Sequence, residues 1–212
     1  MKSNLSEKTI KRLILYHFIL NECMQNGLEY ISSPYIASLL NIDNSQVRKD
    51  IKYVNHNGKC KIGYEVSTLK TSIENTLGFE KKKDAFIVGA GNLGSALIKY
   101  DDLKDYGLNI LAMFDADPLK TGMIINSKEI FHIRKLPDLA KRLNVEIAIL
   151  TVPKEVAQEC AEYLESAGIK YIWNFTPRVL KVGKNVKVWN ENLIGNFLQF
   201  IAENEVSNDY WN

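Results

Sequence analysis

Two features of the sequence have evident chemical capacity, the turn Val88-Gly89-Ala90-Gly91-Asn92-Leu93-Gly94 and the acid Asp115. A Gly-x-Gly-x-x-Gly turn can cradle a pyrophosphate. Gly89 allows the tight turn, Gly91 lets the backbone approach phosphate oxygens, and Gly94 lets a helix pack close to a strand. The helix that follows would offer free N–H groups and a partial positive charge. Such a turn means little without its context. Residues 84–88 read as a buried strand and residues 95–100 as a helix. Residues 109–114 read as a second apolar strand ending in Asp115, about 20 residues beyond the turn, where an acid accepts the ribose hydroxyls of a dinucleotide. A carboxylate there favours NAD(H) and repels the 2′-phosphate of NADP(H). The alternative is a Rossmann-like domain holding another nucleotide, such as coenzyme A, or none.

The strands and helices that would hold this turn and acid fill the second half of the chain. Residues 130–133 read as a short edge strand, 136–143 as a helix, and 145–150 as a buried strand. Residues 154–167 read as a helix closed by Gly168, 169–173 and 186–189 as strands, and 192–205 as a terminal helix. Strands alternating with helices predict an α/β domain, a Rossmann doubly wound parallel sheet. Ligands bind at the carboxyl ends of such strands. The glycine turn (Gly89, Ala90, Gly91, Asn92, Leu93, Gly94) falls there. So do Asp115 with its polar loop (Ala116, Asp117, Lys120), Thr151-Val152-Pro153 and Asn174-Phe175.

A different chemistry is written into the first half. Ser33 reads as an N-cap with Pro34 at the first helical position. Ile36, Leu39 and Leu40 make an inner face, and Asn41, which tolerates left-handed backbone, ends the helix. Asp43 caps the next helix, with Gln46 as capping-box partner. Val47, Ile51 and Val54 face inward there, while Gln46, Arg48, Lys49, Lys52 and Tyr53 face elsewhere. Helix, short turn and helix, with small Ala37 at the crossing, is a helix-turn-helix pattern. Its second helix would enter the major groove of double-stranded DNA. Arg48 could take guanine or phosphate, Gln46 could read adenine, and Lys49 and Lys52 would hold phosphates. Residues 55–59 carry turn chemistry and 61–66 read as a strand, together a wing with Lys59 and Lys61 at its basic tip. An ordinary three-helix cap on the Rossmann domain is the alternative. A helix over residues 6–24 precedes this pattern, with Ile10, Leu13, Ile14, His17, Phe18 and Leu20 at helical spacing. His17 reads as packed rather than as a ligand. Residues 67–77 form a further amphipathic helix.

The 212 residues allow one large or two small domains, and 46% hydrophobic with 25% charged residues is a globular composition. A net charge of +2 does not by itself demand a nucleic-acid partner. Its distribution is more telling: Arg48, Lys49, Lys52, Lys59 and Lys61 surround the single acid Asp50. Cys23, Cys60 and Cys160 lack metal-ligand spacing and read as reduced thiols of a cytosolic protein. With no signal peptide and no apolar run of the ~20 residues that span a bilayer, a cytoplasmic protein without a membrane partner is expected.

Ser45-Gln46-Val47-Arg48-Lys49-Asp50, Gly63-Tyr64, the glycine turn, and Phe114-Asp115-Ala116-Asp117-Pro118-Leu119-Lys120-Thr121-Gly122 form an ordered set of segments. Ile147-Ala148-Ile149-Leu150-Thr151-Val152-Pro153, Ala167-Gly168-Ile169-Lys170 and Asn174-Phe175-Thr176-Pro177 continue it. Over nearly the whole chain, they resemble the Rex family of redox-sensing transcriptional repressors. The resemblance implies a winged helix-turn-helix DNA-binding domain over 1–78, a linker at 79–83, a Rossmann NAD(H)-binding domain over 84–190 and a dimerisation helix over 191–212. That helix would be exchanged between the subunits of a homodimer, and Leu193, Ile194, Phe197, Leu198 and Ile201 give it an apolar face to bury. The resemblance adds Ser45 to the DNA-contacting residues. It implies operator binding when NAD⁺ dominates and release when NADH rises. This chain departs from the pattern at the wing, where Lys59-Cys60-Lys61 replaces a stretch with an arginine, and at Tyr53-Val54-Asn55. Phe18 and Asn192 stand where the family often has an arginine and an aspartate, so packing rather than a charge pair is expected to set the switch. Val152, Pro153, Phe175 and Phe197 are the apolar residues expected near the nicotinamide.

The rival class is an NAD-dependent oxidoreductase, which needs a substrate site and a proton donor beside the nicotinamide. Beyond Asn174 there is room for only a strand and a helix, without histidine. His132 sits on an edge segment, and His17 and His56 lie in the first domain. A regulator that reads the cofactor without transforming it is expected.

Overall fold

Caps decide where the first helices begin and end. The computed structural model describes residues 5–59 and 62–203. α1 (Glu7–Gln25) opens on Ser6, whose hydroxyl accepts the Thr9 N–H at 3.2 Å. β1 (Tyr30–Ile31) follows. α2 (Ser33–Leu40) is capped one residue earlier than expected. Ser32, not Ser33, accepts the Tyr35 N–H, at 3.3 Å. Pro34 then takes the second helical position, which also has no intrahelical acceptor for an N–H. Asn41 ends α2 with φ 51°. Asp43 caps α3 (Asn44–Tyr53) by accepting the Ser45 N–H at 2.6 Å.

The wing is shorter than the sequence suggests. Among the described residues 62–66 only Tyr64 and Glu65 are strand (β2, Tyr64–Glu65), pairing antiparallel with β1, and Val66 already opens α4 (Val66–Leu77). Lys59 and Gly63 close the hairpin by reciprocal N–H···O bonds of 2.7 and 3.0 Å. Gly63 has φ 107°, and a Cβ there would meet the Ile31 carbonyl oxygen at 2.4 Å, so only glycine lets the two strands pass this closely. Cys60 and Lys61 lie outside the described residues.

Leu13, Tyr16, Leu20, Ile36, Val47, Ile51, Val54, Leu69 and Ile73 are buried in the core of this unit. The stripe on α1 is turned from its expected phase: Tyr16 and Ile19 are inside, and Ile10 and Phe18 are exposed. α1 packs against both α3 and α4. Tyr16 can go inside because its hydroxyl finds a carboxylate there, at Asp50. Leu39 is likewise exposed, and Ile36 and Ala37 are the buried apolar residues of α2. His17 is packed, its Nε2 2.9 Å from Glu74 Oε1.

The second unit runs β3 (Lys83–Val88), α5 (Asn92–Leu97), β4 (Leu108–Asp115), β5 (Ile124–Ile125), β6 (Lys128–His132), α6 (Leu136–Leu143), β7 (Ile147–Leu150), α7 (Ala157–Ser166), β8 (Tyr171–Asn174), β9 (Lys187–Asn190) and α8 (Leu193–Glu203). Its sheet has the order β5-β6-β4-β3-β7-β8-β9, parallel throughout except for the β5–β6 hairpin. Without β5 this is the 3-2-1-4-5-6 order of a dinucleotide fold, with its switch point between β3 and β7. The strand expected at an edge is not at one. β6 pairs with β4, and β5 covers its outer side through a turn at Asn126 and Ser127, both with positive φ. α5 starts three residues before the expected helix, directly on the glycine turn, and α7 starts three residues after it. One face of the sheet packs Phe86, Phe114 and Leu150 with Leu136 and Ala140 of α6 and Ala161 and Leu164 of α7. The other packs Ile87, Met113, Ile130 and Ile149 with Leu97 and Ile98 at the end of α5. On α8, Ile194, Phe197 and Leu198 are exposed, and the Leu193 side chain lies outside the described residues.

The chain divides into two compact units, Met1–Lys81 and Lys82–Asn212. Among the described residues no helix is long and apolar enough to cross a membrane.

Candidate functional site

Each glycine of the turn meets a different environment. Gly89 has φ 105°, and a Cβ on it would lie 2.8 Å from the Thr151 backbone. A Cβ on Gly94 would lie 2.1 Å from the Gly89 carbonyl oxygen and 2.8 Å from Thr151 Oγ1. A Cβ on Gly91 would meet nothing within 4 Å. Gly89 and Gly94 are therefore demanded by packing of the protein on itself, and Gly91 leaves backbone open to something else. Thr151 ties the switch point together, its hydroxyl lying 2.8 Å from the Gly89 carbonyl oxygen. No side chain caps the start of α5, so its first N–H groups are available to a ligand.

Asp115 ends β4 beside this turn. Its Oδ2 accepts the Ala90 N–H at 2.7 Å and the Lys120 ammonium at 3.1 Å, and its Oδ1 accepts the Asp117 N–H at 2.9 Å. Burial alone would raise its pKa. The hydrogen bonds from Asp117, Ala90 and Lys120 outweigh burial and hold the carboxyl below its usual range. A carboxylate offers about four acceptor sites; three are filled, and Oδ1 keeps one open.

A cavity of about 880 Å³ opens over this carboxylate. It brings together Gly89, Gly91, Asp115, Ala116, Asp117, Lys120, Thr151, Val152 and Pro153, as the sequence suggested. The sequence reading does not reach the rest of its lining: Val156, Cys160 and Tyr163 from the α7 segment, and Ile133 and Arg134, with the Tyr163 hydroxyl 3.5 Å from the Ile133 carbonyl oxygen. The spacing i, i+4, i+7 of Val156, Cys160 and Tyr163 was the available signal, since it puts them on one helical face. Burial, with Glu159 and Asp115 nearby, pushes the Cys160 thiol up, which keeps it protonated and unreactive. Ala90, Asn92, Leu93 and Gly94 do not line the cavity; Ala90 joins the site through Asp115. Asn174 and Phe175 do not line it either. Asn174 is fully buried and its amide is wholly engaged. It donates to the Arg178 carbonyl at 2.9 Å and Asn190 Oδ1 at 2.8 Å, and it accepts the Thr176 N–H at 3.0 Å and hydroxyl at 2.7 Å. Phe175 packs on Trp173, with ring centroids 4.9 Å apart. An open Gly91, an ionised acid with a spare acceptor and an apolar-walled cavity fit a dinucleotide.

In the other unit, Ser45, Arg48, Lys49, Lys52 and Tyr53 are exposed on α3. Arg48 Nε donates to Ser33 Oγ at 3.2 Å. Lys59 Nζ lies 3.2 Å from the Tyr30 hydroxyl and 5.3 Å from that ring's centroid, which steadies the wing. Lys61 lies outside the described residues. Gln46 does not complete a capping box. Its Nε2 donates instead to Asp50 Oδ1 at 2.9 Å. Asp50 reads in sequence as a lone acid in a basic run, yet it is fully buried and also receives Arg12 and Tyr16. Burial would raise its pKa; the bonds from Arg12, Tyr16 and Gln46 prevail and hold it below the ordinary carboxylate range. Burial and the same carboxylate push the Tyr16 phenol up.

A winged helix-turn-helix with a basic outer helix, joined to a Rossmann unit with an acid beside its glycine turn, defines a class: a DNA-binding regulator that carries a nucleotide site. Residues 4–51 match the family model "Putative DNA-binding protein N-terminus" and residues 80–178 the model "CoA binding domain". The redox-sensing transcriptional repressor Rex of Treponema denticola is 43% identical over 185 residues, 87% of this chain and 88% of its own. That of Bacteroides fragilis is 39% identical over 187 residues, 88% and 85% of the two chains. The crystal structure of RSP in complex with β-NADH matches with a TM-score of 0.83 at 35% identity, covering 96% of each chain. RSP in complex with β-NAD⁺ and operator DNA matches with a TM-score of 0.86 at 34% identity, covering 96% of this chain and 94% of that one. The chain belongs to the Rex family of redox-sensing transcriptional repressors.

Proposed function

We propose that this protein represses transcription by binding operator DNA when NAD⁺ dominates and releasing it when NADH rises. Its relatives are named redox-sensing repressors, and RSP is seen with β-NADH and with β-NAD⁺ and operator DNA. It is a sensor rather than an enzyme. The observation that carries the reading is the open backbone of Gly91 beside the Asp115 carboxylate. Gly89, Gly91 and the start of α5 would hold the pyrophosphate, and Asp115 the adenosine ribose. Ala116, Asp117, Lys120 and Thr151 would complete the adenosine side. Asn174 would act by shaping the turn that carries Phe175. The nicotinamide ring is a cation when oxidised and neutral when reduced. Val152, Pro153, Phe175 and Phe197 would accept the neutral ring and disfavour the cation.

Ser45, Gln46, Arg48, Lys49, Lys52, Tyr53, Lys59 and Lys61 would contact DNA. The exposed apolar residues of α8 support a homodimer through that helix, and a two-fold dimer suits a palindromic operator. A repressor must meet DNA, so the cytoplasm is its place. The divisions 1–78, 79–83, 84–190 and 191–212 are the working domain limits. The matching "CoA binding domain" model gives a second nucleotide a specific claim. Calorimetric titration with NADH, NADPH and coenzyme A separates them: tight NADH binding is expected, and selective coenzyme A binding would overturn the reading.

A further inference from the structure

The buried cluster in the first unit ends on a residue of the outer helix. Asp50 Oδ1 takes Arg12 Nη2 and Gln46 Nε2, both at 2.9 Å, and Oδ2 takes Arg12 Nε at 2.6 Å and the Tyr16 hydroxyl at 2.8 Å. A carboxylate only accepts, at about four sites, so every site is filled. Gln46 is constrained in two ways. Only its NH₂, never its carbonyl, can face an ionised carboxylate, so the amide has one orientation. One N–H is committed to Asp50, which leaves the second N–H and Oε1. A bidentate contact to adenine needs one donor for N7 and one acceptor for the N6 amino group. Those are the groups that remain. Gln46 is half-buried in the first turn of α3, the part of a recognition helix that meets base edges.

We propose that Asp50, held by Arg12 and Tyr16 of α1, is a positioning residue for base readout: it fixes the Gln46 amide so that α3 presents a preset donor–acceptor pair to one A·T base pair in each half-site. The proposal rests on the DNA-binding reading above. Folding, not DNA binding, then removes the rotamer freedom of Gln46, and a side chain already ordered loses less on association.

The test uses the full chain and an operator selected from randomised duplexes. Affinities are measured for duplexes in which each half-site base pair is replaced in turn. The proteins are wild type, Gln46→Ala, Asp50→Asn and Tyr16→Phe, and the two double variants with Gln46→Ala. Wild type should prefer A·T at one position by about tenfold or more. Gln46→Ala should erase that preference, leaving the others and the salt slope in place. Asp50→Asn and Tyr16→Phe should weaken the preference at that position, and neither should add to Gln46→Ala. Tyr16→Phe removes one hydroxyl and keeps the packing, so it stays informative if Asp50→Asn folds poorly. Gln46→Ala with wild-type preferences overturns the proposal. So does Tyr16→Phe weakening all sequences equally, or adding to Gln46→Ala, since Asp50 would then serve structure alone. A wild type that selects no sequence removes the DNA-binding reading itself.

Discussion

Gly91 and Gly94 differ in what a methyl group would meet. At Gly94 it would strike the Gly89 carbonyl oxygen, and at Gly91 it would enter open space. Gly94→Ala should therefore destabilise the Rossmann unit by about 1–3 kcal/mol, as overpacking does. Gly91→Ala should unfold at nearly the wild-type temperature yet lose NADH affinity by about tenfold or more (~1.4 kcal/mol). Thermal melts and calorimetry on both variants check this; equal loss of stability would refute the assignment. Asp115→Ala should narrow the gap between NADH and NADPH, and equal wild-type affinity for the two would contradict a ribose-binding role. These residues were legible in sequence because glycine and acid are bound to a local motif. The role of Asp50 was not. Its partner Arg12 lies 38 residues earlier, and a charge in a basic run shows its sign but not its burial.

At the scale of elements, the Asp50 cluster joins α1 to α3. Asp50→Ala would leave Arg12 without its buried partner and should cost about 3 kcal/mol, read by denaturant unfolding. The pH dependence has a definite sign. The folded carboxyl titrates below its usual range, and the unfolded one near pH 3.9. Its stabilisation is therefore full above about pH 4 and lost as pH falls through the folded value. Wild type should lose more stability than Asp50→Asn in that acid window, and parallel profiles would argue against an ionised Asp50. α8 poses a different question. It carries exposed Ile194, Phe197 and Leu198, and its first turn is held by Asn192 Oδ1 accepting the Gly195 N–H at 2.8 Å. Removing residues 192–212 should give monomers or aggregates that no longer bind operator; a truncated chain that sediments as a dimer would refute this. Most elements were readable from hydrophobic period and caps. Where an element was missed or turned, the reason is physical: the α1 stripe follows a buried tyrosine that needs an acceptor, and β1 and β5, two residues each, are too short for their alternation to show.

At the scale of the whole molecule, sensing requires that the site distinguish two ligands and that the difference reach α3. A ligand shifts an equilibrium only by its differential affinity for the two states. Moving a dimer from 1:99 to 99:1 needs ~5.5 kcal/mol of it, about half from each of two sites. Phe18 and Asn192 are uncharged, so NADH inhibition should vary little with pH, and with salt only as DNA binding itself does. The most direct measurement is titration of an operator complex with NADH at fixed NAD⁺, for wild type and Phe175→Ala. NADH should release the DNA from wild type and do so less effectively from Phe175→Ala. NADH that binds tightly while leaving operator binding unchanged would contradict the account and describe a constitutive DNA binder with a structural cofactor.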